Sequence, residues 1–265
     1  IYPQQTKAMD REDIRNLRRW QVQAAKRAKR AGFDIVYVYA GHGYLPFQFI
    51  TQRWNQRGDE YGGAIENRAR LLREMIEETK DAVGDTCAVA VRLAMDELMG
   101  PQGVTAENEG RAVIALLAEL PDLWDVNISY VENDSISARF GEEGHQEKYV
   151  GFVKQLTSKP VVSVGRFTSP DAMASLIKRG IADFIGAARP SIADPFLPSK
   201  ISAGHEDDIR ECIGCNICRS TNNMGAPIRC TQNPTMGEEY RRGWHPERIA
   251  PAGGFKDDGV LVVGG

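Results

Sequence analysis

Two rhythms of apolar positions alternate along the chain. From residue 10 to about residue 200, stretches with apolar residues three and four apart are separated by short, nearly continuous apolar runs. The first pattern fits helices that bury one face, and the second fits strands covered on both faces. The first helical stretch runs from Asp10, a capping residue, to Gly32, a stop, with Ile14, Leu17, Ala24, Ala25 and Ala28 on one side. Its basic cluster Lys26, Arg27, Lys29 and Arg30 reads as a solvated face rather than a nucleic-acid patch. Strands are predicted at 33–40, 87–94, 123–130, 160–165 and 182–189, and helices at 65–83, 107–119, 146–157 and 170–179. The last helix has Ser169 as its cap, Pro170 in its first turn and Gly180 beyond its end.

Strict alternation of strand and helix implies an α/β fold with a parallel sheet, either an open doubly wound sheet or part of a barrel. The strand exits favour the barrel, where chemistry gathers at the C-terminal ends of many strands and a phosphate commonly sits after the last two. Every exit here is polar or glycine-rich: Tyr39 to His42, Arg92, the stretch from Asn127 to Asp134, Gly165-Arg166 and Ala188-Arg189. The last two exits offer backbone amides and an arginine each, which suits a phosphate. The fold class expected is therefore a partial (β/α)8 TIM barrel over residues 1–200, with three further strands ahead of residue 1. A cysteine-bearing segment over 201–257 and the start of a dinucleotide-binding domain at 258–265 are expected to follow. The last expectation rests on an apolar run that ends in Gly264-Gly265, a pattern that any strand closing on two glycines shares.

Composition narrows the function classes. With 42% hydrophobic and 26% charged residues and a formal net charge of -3, the chain reads as globular rather than disordered or as a basic nucleic-acid binder. No apolar run approaches the roughly 20 residues that span a bilayer, so no membrane partner is expected. Four of the five cysteines crowd into Cys212-x-x-Cys215-x-x-Cys218 and, after eleven residues, Cys230. Such crowding marks a local site in a reducing, cytoplasmic compartment rather than a disulfide framework. Three thiolates at this spacing, closed by a fourth, suit a 4Fe-4S cluster, whereas structural zinc more often takes two separated pairs. Cys87 reads as a small buried hydrophobe.

Tyr39 and His42 lie three residues apart just past a predicted strand. A lone histidine is more often structural than catalytic, but this position at a strand exit suits acid-base chemistry. Asp134 follows a different strand and could orient the imidazole or a substrate; Glu132 shares its loop, and spacing does not choose between them.

The stretch Arg57-Gly58-Asp59-Glu60-Tyr61-Gly62-Gly63-Ala64-Ile65-Glu66-Asn67-Arg68-Ala69-Arg70 resembles the signature of the old yellow enzyme family of FMN-dependent barrels. Joined to the cysteine triplet, it resembles the multidomain branch that contains the trimethylamine, dimethylamine and histamine dehydrogenases and dienoyl-CoA reductase. The resemblance implies an FMN and 4Fe-4S dependent oxidoreductase that carries out oxidative dealkylation or deamination of a small (methylated) amine substrate. Electrons would leave to an electron-transferring flavoprotein or similar carrier, and the intact protein would be a homo-oligomer. A further C-terminal domain would hold ADP, NAD(P) or FAD. In the branch, Tyr-x-x-His is the amine-dehydrogenase form of the motif, and the comparison makes Asp134 the third member beside Tyr39 and His42. By the same matching, Arg92 approaches the flavin pyrimidine edge, while Gly165, Arg166, Ala188 and Arg189 hold the phosphate. The aromatic bowl that surrounds trimethylamine is altered: Asn222 stands at one tryptophan position, and no tryptophan lies near Val131. The alternative is an NAD(P)H-dependent reductase of activated alkenes; a zinc-stabilised interaction module is the non-enzymatic reading.

Overall fold

The computed structural model describes residues 6–248. Asp10 opens α1 (Arg11–Arg30) through a reciprocal capping box with Asp13, which satisfies first-turn N–H groups that no helix carbonyl can reach. There follow β1 (Ile35–Ala40), α2 (Leu45–Ile50), α3 (Ile65–Arg68), α4 (Arg70–Val83), β2 (Ala88–Ala94) and α5 (Arg111–Leu117). Beyond them lie β3 (Leu123–Asn127), α6 (Val131–Asp134), α7 (Glu147–Val150), β4 (Val161–Ser163), α8 (Pro170–Lys178) and β5 (Phe184–Ile185).

The five strands are all parallel, and their spatial order is their order in the sequence. A doubly wound sheet would reverse its order at a switch point. Unbroken succession is instead the arc of a (β/α)8 barrel, as the strand exits predicted. The register sets Val38, Val91, Trp124 and Val161 in one row and Tyr39, Arg92, Asp125, Val162 and Phe184 in the next. Adjacent rows face opposite sides of the sheet. The apolar row is buried with Ile14, Leu71, Leu72 and Ile76 in a single core. At its edge, Arg18 of α1 pairs with Glu74 at 2.9 Å and with Glu78 of α4. The other row carries the charged residues.

Several predicted elements are shorter or broken. The 65–83 helix divides at Ala69 into α3 and α4, and the division lets Arg68 turn inward to an exposure of 2%. The 107–119 helix begins instead with a π-helical turn, Ala106–Gly110, because the Asp96 carboxylate takes the Ala106 N–H at 2.9 Å. The 146–157 helix is two short turns separated at Gly151, a poor helix former. β4 and β5 stop early, ahead of Gly165 and Gly186. Pattern reading missed α2, whose six residues are too few to show a period. Cys87 is buried, as expected.

The chain divides into two compact units: residues up to Ala188 with Ile213–Asn216, and Arg189–Cys212 with the residues from Ile217 on. After β5 come α9 (Ala188–Ala193), α10 (Leu197–Ala203), α11 (Ile217–Asn223) and α12 (Glu239–Arg242). Within the second unit, buried Asp194 pairs with Lys200 at 2.7 Å and accepts the Arg210 N–H at 2.9 Å, which holds the approach to Cys212. The expected dinucleotide-binding start at 258–265 lies outside the described residues. Among the described residues, no helix is long and apolar enough to cross a membrane.

The Arg57–Arg70 stretch works structurally within the first unit. Arg57 pairs with Asp59 at 2.6 Å, and buried Arg68 donates to the carbonyls of Gly63 and Ile50 while pairing with Glu109. Replacing Arg68 strands a carboxylate and two carbonyls in a poorly solvated place. Arg68→Leu is expected to destabilise the intact protein by about 3 kcal/mol, measured by denaturant unfolding.

Candidate active site

The turns that leave the strands are held in uncommon conformations. His42 (φ 51°), Leu98 (φ 56°), Ser129 (φ 48°) and Arg166 (φ 60°) are left-handed non-glycine residues, and they follow β1, β2, β3 and β4 respectively. Each costs on the order of 1–3 kcal/mol and persists only where its surroundings fix it, a pattern typical of working sites. After His42 the backbone stays left-handed at Gly43 (φ 71°), where a Cβ would lie 2.3 Å from the Tyr130 ring. Only glycine lets the turn pass beneath that ring.

This turn brings His42 against Tyr39 and Asp134. Tyr39 Oη bonds to Nδ1 of the imidazole. Nε2 lies 3.1 Å from Asp134 Oδ2. Arg92 reaches the same carboxylate oxygen at 3.5 Å and Asp125 Oδ2 at 2.9 Å, and Gln146 Nε2 donates to Asp134 Oδ1 at 2.6 Å. Tyr44 packs edge-on against Tyr39 with ring centroids 5.2 Å apart.

The electrostatics set the protons. Burial, only partly opposed by Arg92 and reinforced by Tyr44, Asp134 and Asp125, pushes the Tyr39 phenol up to about 12. Tyr39 therefore keeps its proton at neutral pH. Because Nε2 faces the Asp134 carboxylate, the imidazole proton is assigned to Nε2, and Nδ1 is left to accept from the phenol. Nδ2 of Asn127 is 2.6 Å from Nε2. Two N–H groups cannot satisfy one another, so the Asn127 amide is turned over, with its oxygen toward the imidazole. That orientation also satisfies the buried Asn127 oxygen, which otherwise has no partner.

The two carboxyls are driven apart. Burial alone would raise Asp134, but the bonds from His42 and Gln146 and the charge of Arg92 hold it below the ordinary carboxylate range. Asp125 moves the other way, raised by burial despite Arg92. Arg92 is itself raised, because Asp125, Asp134 and Tyr39 outweigh its burial, and it stays a cation. Asp125 is thus the first of the pair to take a proton, and Asp134 is the fixed anion.

The structure brings together Tyr39, His42, Arg92 and Asp134 of the predicted site. It adds Asp125 and Asn127, polar residues two apart on the one face of β3. Their break in an otherwise apolar strand was the available signal. Gln146 gave none. Glu132, the competing acid, is one of the residues of α6 ahead of Asp134. Gly165 and Arg166 form the turn after β4, where the Gly165 carbonyl accepts from Gly144 N at 2.8 Å. Ala188 is the first residue of α9, and Arg189 is the first residue of the second unit. In that unit, burial raises the Cys218 thiol, with Cys212 and Cys230 adding to the rise and Arg189 opposing it, so these side chains are within reach of one another's charge. Cys215 is exposed and falls in the Ile213–Asn216 segment of the first unit. None of the five cysteines is in a disulfide, and among the described residues no group of three or more His, Cys, Asp or Glu side chains is arranged to hold a metal ion.

The chain belongs to the NADH:flavin oxidoreductase / NADH oxidase family, whose profile matches residues 2–208. The resemblance carried by residues 57–70 holds at this level. Dimethylamine dehydrogenase of Hyphomicrobium sp. (strain x) is 48% identical over 96% of this chain and 35% of its own length. Histamine dehydrogenase from Rhizobium sp. 4-9 superposes with a TM-score of 0.91 at 53% identity, covering 96% of this chain and 37% of that one. The 6-hydroxypseudooxynicotine amine oxidase of Pseudomonas geniculata N1 has a TM-score of 0.89 at 61% identity over 92% of this chain and 37% of that one. The chain thus spans little more than a third of the length of these relatives.

Because Asp134 has a lowered folded value, the stability it contributes is present above its ordinary value of 3.8 and lost as pH falls through the folded one. Asp134→Asn should cost about 2 kcal/mol at neutral pH. Melting curves of variant and wild type should converge on acidification below pH 3.8.

Proposed function

We propose that the chain forms the catalytic face of an FMN-dependent, amine-oxidising oxidoreductase. The observation that carries this reading is the hydrogen-bonded chain Tyr39–His42–Asp134 beside Arg92 at the strand ends. Relatives named for dimethylamine, histamine and an amine oxidase support the substrate class. Buried polar atoms without partners, Asp125 Oδ1, Gln146 Oε1 and Arg166 Nε, suit a polar heterocycle and a phosphate at the strand exits. Arg92 would face the pyrimidine edge, and Gly165, Arg166, Ala188 and Arg189 would hold the phosphate. When bound, the flavin supplies the acceptor for the two electrons of a substrate C–H bond.

The residues themselves handle protons. An amine arrives as its ammonium form and must lose a proton before its lone pair can assist C–H cleavage. Tyr39 Oη can accept that proton while passing its own to His42 Nδ1, and Asp134 stabilises the resulting imidazolium through Nε2–H. The oxygen that accepts is protonated again in the same motion, so no phenolate accumulates.

Residues 201–257 are proposed as an iron-sulfur segment, with Cys212, Cys215, Cys218 and Cys230 as ligands, followed from 258 by a dinucleotide-binding domain. An all-thiol donor set and the mutual influence of three of these thiols support a 4Fe-4S cluster. Held by these four thiolates, a cluster would supply single-electron transfer, with an electron-transferring flavoprotein or similar carrier as the proposed acceptor.

Stopped-flow mixing of the intact protein with dimethylamine, histamine and trimethylamine tests the reading. An amine should bleach the flavin. His42→Gln should slow that step by roughly ten- to a thousandfold and shift its pH profile, with Tyr39→Phe acting in the same direction. Bleaching by NADPH alone, with reoxidation by an enone, would establish alkene reduction instead. Iron and acid-labile sulfide should be found after anaerobic purification; stoichiometric zinc without iron would end the proposed relay.

A further inference from the structure

Asp134 is held from a direction that the Tyr-x-x-His motif does not reveal. Gln146, 0% exposed, stands at the N-cap position of α7 without capping it and spends its amide N–H on Asp134 Oδ1 at 2.6 Å. The other oxygen, Oδ2, takes His42 at 3.1 Å and Arg92 at 3.5 Å. The segment leading into Gln146 is tied to the turn after β4. Glu143 Oε1 accepts from Ser169 N at 2.8 Å and from Thr168 Oγ1 at 2.9 Å. Gly144 N donates to the Gly165 carbonyl at 2.8 Å, and a Cβ on Gly165 would come within 3.3 Å of the Gly144 Cα. Residues 143–146 therefore link the carboxylate that faces His42 to the turn assigned above to the flavin phosphate.

We propose that Gln146 is a positioning residue for amine oxidation: by occupying Oδ1 of Asp134 it reserves Oδ2 for His42 and registers that carboxylate against the turn after β4. The inference rests on the amine-oxidising reading for its kinetic consequence, though not for its geometric one. The groups that face Asp134 are His42 and Tyr39 from β1 and its turn, Arg92 from β2, Asp125 from β3 and Gln146. Of these, Gln146 alone neither carries nor exchanges a charge. It can fix the carboxylate at every pH without competing for the proton on His42. Without its bond, Asp134 is protonated more readily, and a protonated Asp134 no longer accepts well from Nε2–H.

The test uses the intact protein with Gln146→Leu, Asp134→Asn and the double variant. Rates are compared at equal flavin occupancy. Gln146→Leu should slow flavin reduction by dimethylamine or histamine by roughly five- to fiftyfold and move the acid limb of its pH profile upward by up to about one unit. In the Asp134→Asn background it should add nothing, because it acts through that carboxylate. An unmoved pH profile, or losses that simply multiply in the double variant, would overturn the proposal. A crystal structure of Gln146→Leu decides independently of any substrate: Asp134 should swing away from His42, and an unmoved carboxylate would refute the assignment. If wild type is reduced by no amine, the functional reading fails while the crystal structure still rules on Gln146. Should Gln146→Leu not fold, the isosteric Gln146→Glu replaces the donor with an acceptor and should shift the acid limb further in the same direction.

Discussion

One buried oxygen, Oδ2 of Asp134, sets the terms for everything around it. It sits among an imidazole and a guanidinium in a place where burial penalises charge. An anion survives there only if donors surround it. That requirement explains why Arg92 leans across from β2, why Gln146 is buried, and why His42 presents Nε2–H. It also explains the backbone. His42 can reach both Tyr39 and Asp134 only from a left-handed turn, and Gly43 completes that turn beneath Tyr130.

The second carboxyl sharpens the arrangement. Asp125 lies beside Asp134 around the same cation, and two carboxylates with unequal donor sets cannot hold protons equally. Asp134 has three donors and Asp125 has one charged partner, so burial wins at Asp125 and loses at Asp134. A site built this way keeps one negative charge next to His42 and a second, more easily neutralised, nearer Arg92. Such a division suits a proposed substrate that arrives as a cation and leaves its proton behind.

Much of this was legible in the sequence, for physical reasons that differ from residue to residue. The barrel arc could be read because parallel strands buried on both sides leave long apolar runs, and because polar residues pile up at their exits. Tyr39 and His42 stood out by spacing at one such exit. Asp134 did not, since Glu132 lies two positions away and loop geometry has no periodicity; only the family resemblance selected it. Asp125 and Asn127 were visible as polar interruptions of β3, yet their meaning depends on Arg92 standing next to Asp125 in the adjacent strand and on His42 reaching Asn127. Gln146 was invisible, because a glutamine at a short helix start looks like any solvated residue until its burial is known. The broken helices were overpredicted where tertiary acceptors, such as the Asp96 carboxylate at Ala106, competed with the helical ladder.

The chemistry proposed for this site depends on where its protons are. Neutron diffraction from crystals of the intact protein at neutral pH would locate them. Deuterium should appear on Tyr39 Oη, directed at His42 Nδ1, and on His42 Nε2, directed at a bare Asp134 carboxylate, with the Asn127 oxygen facing the same nitrogen. Deuterium on Asp134, or on Nδ1 with Nε2 bare, would contradict it.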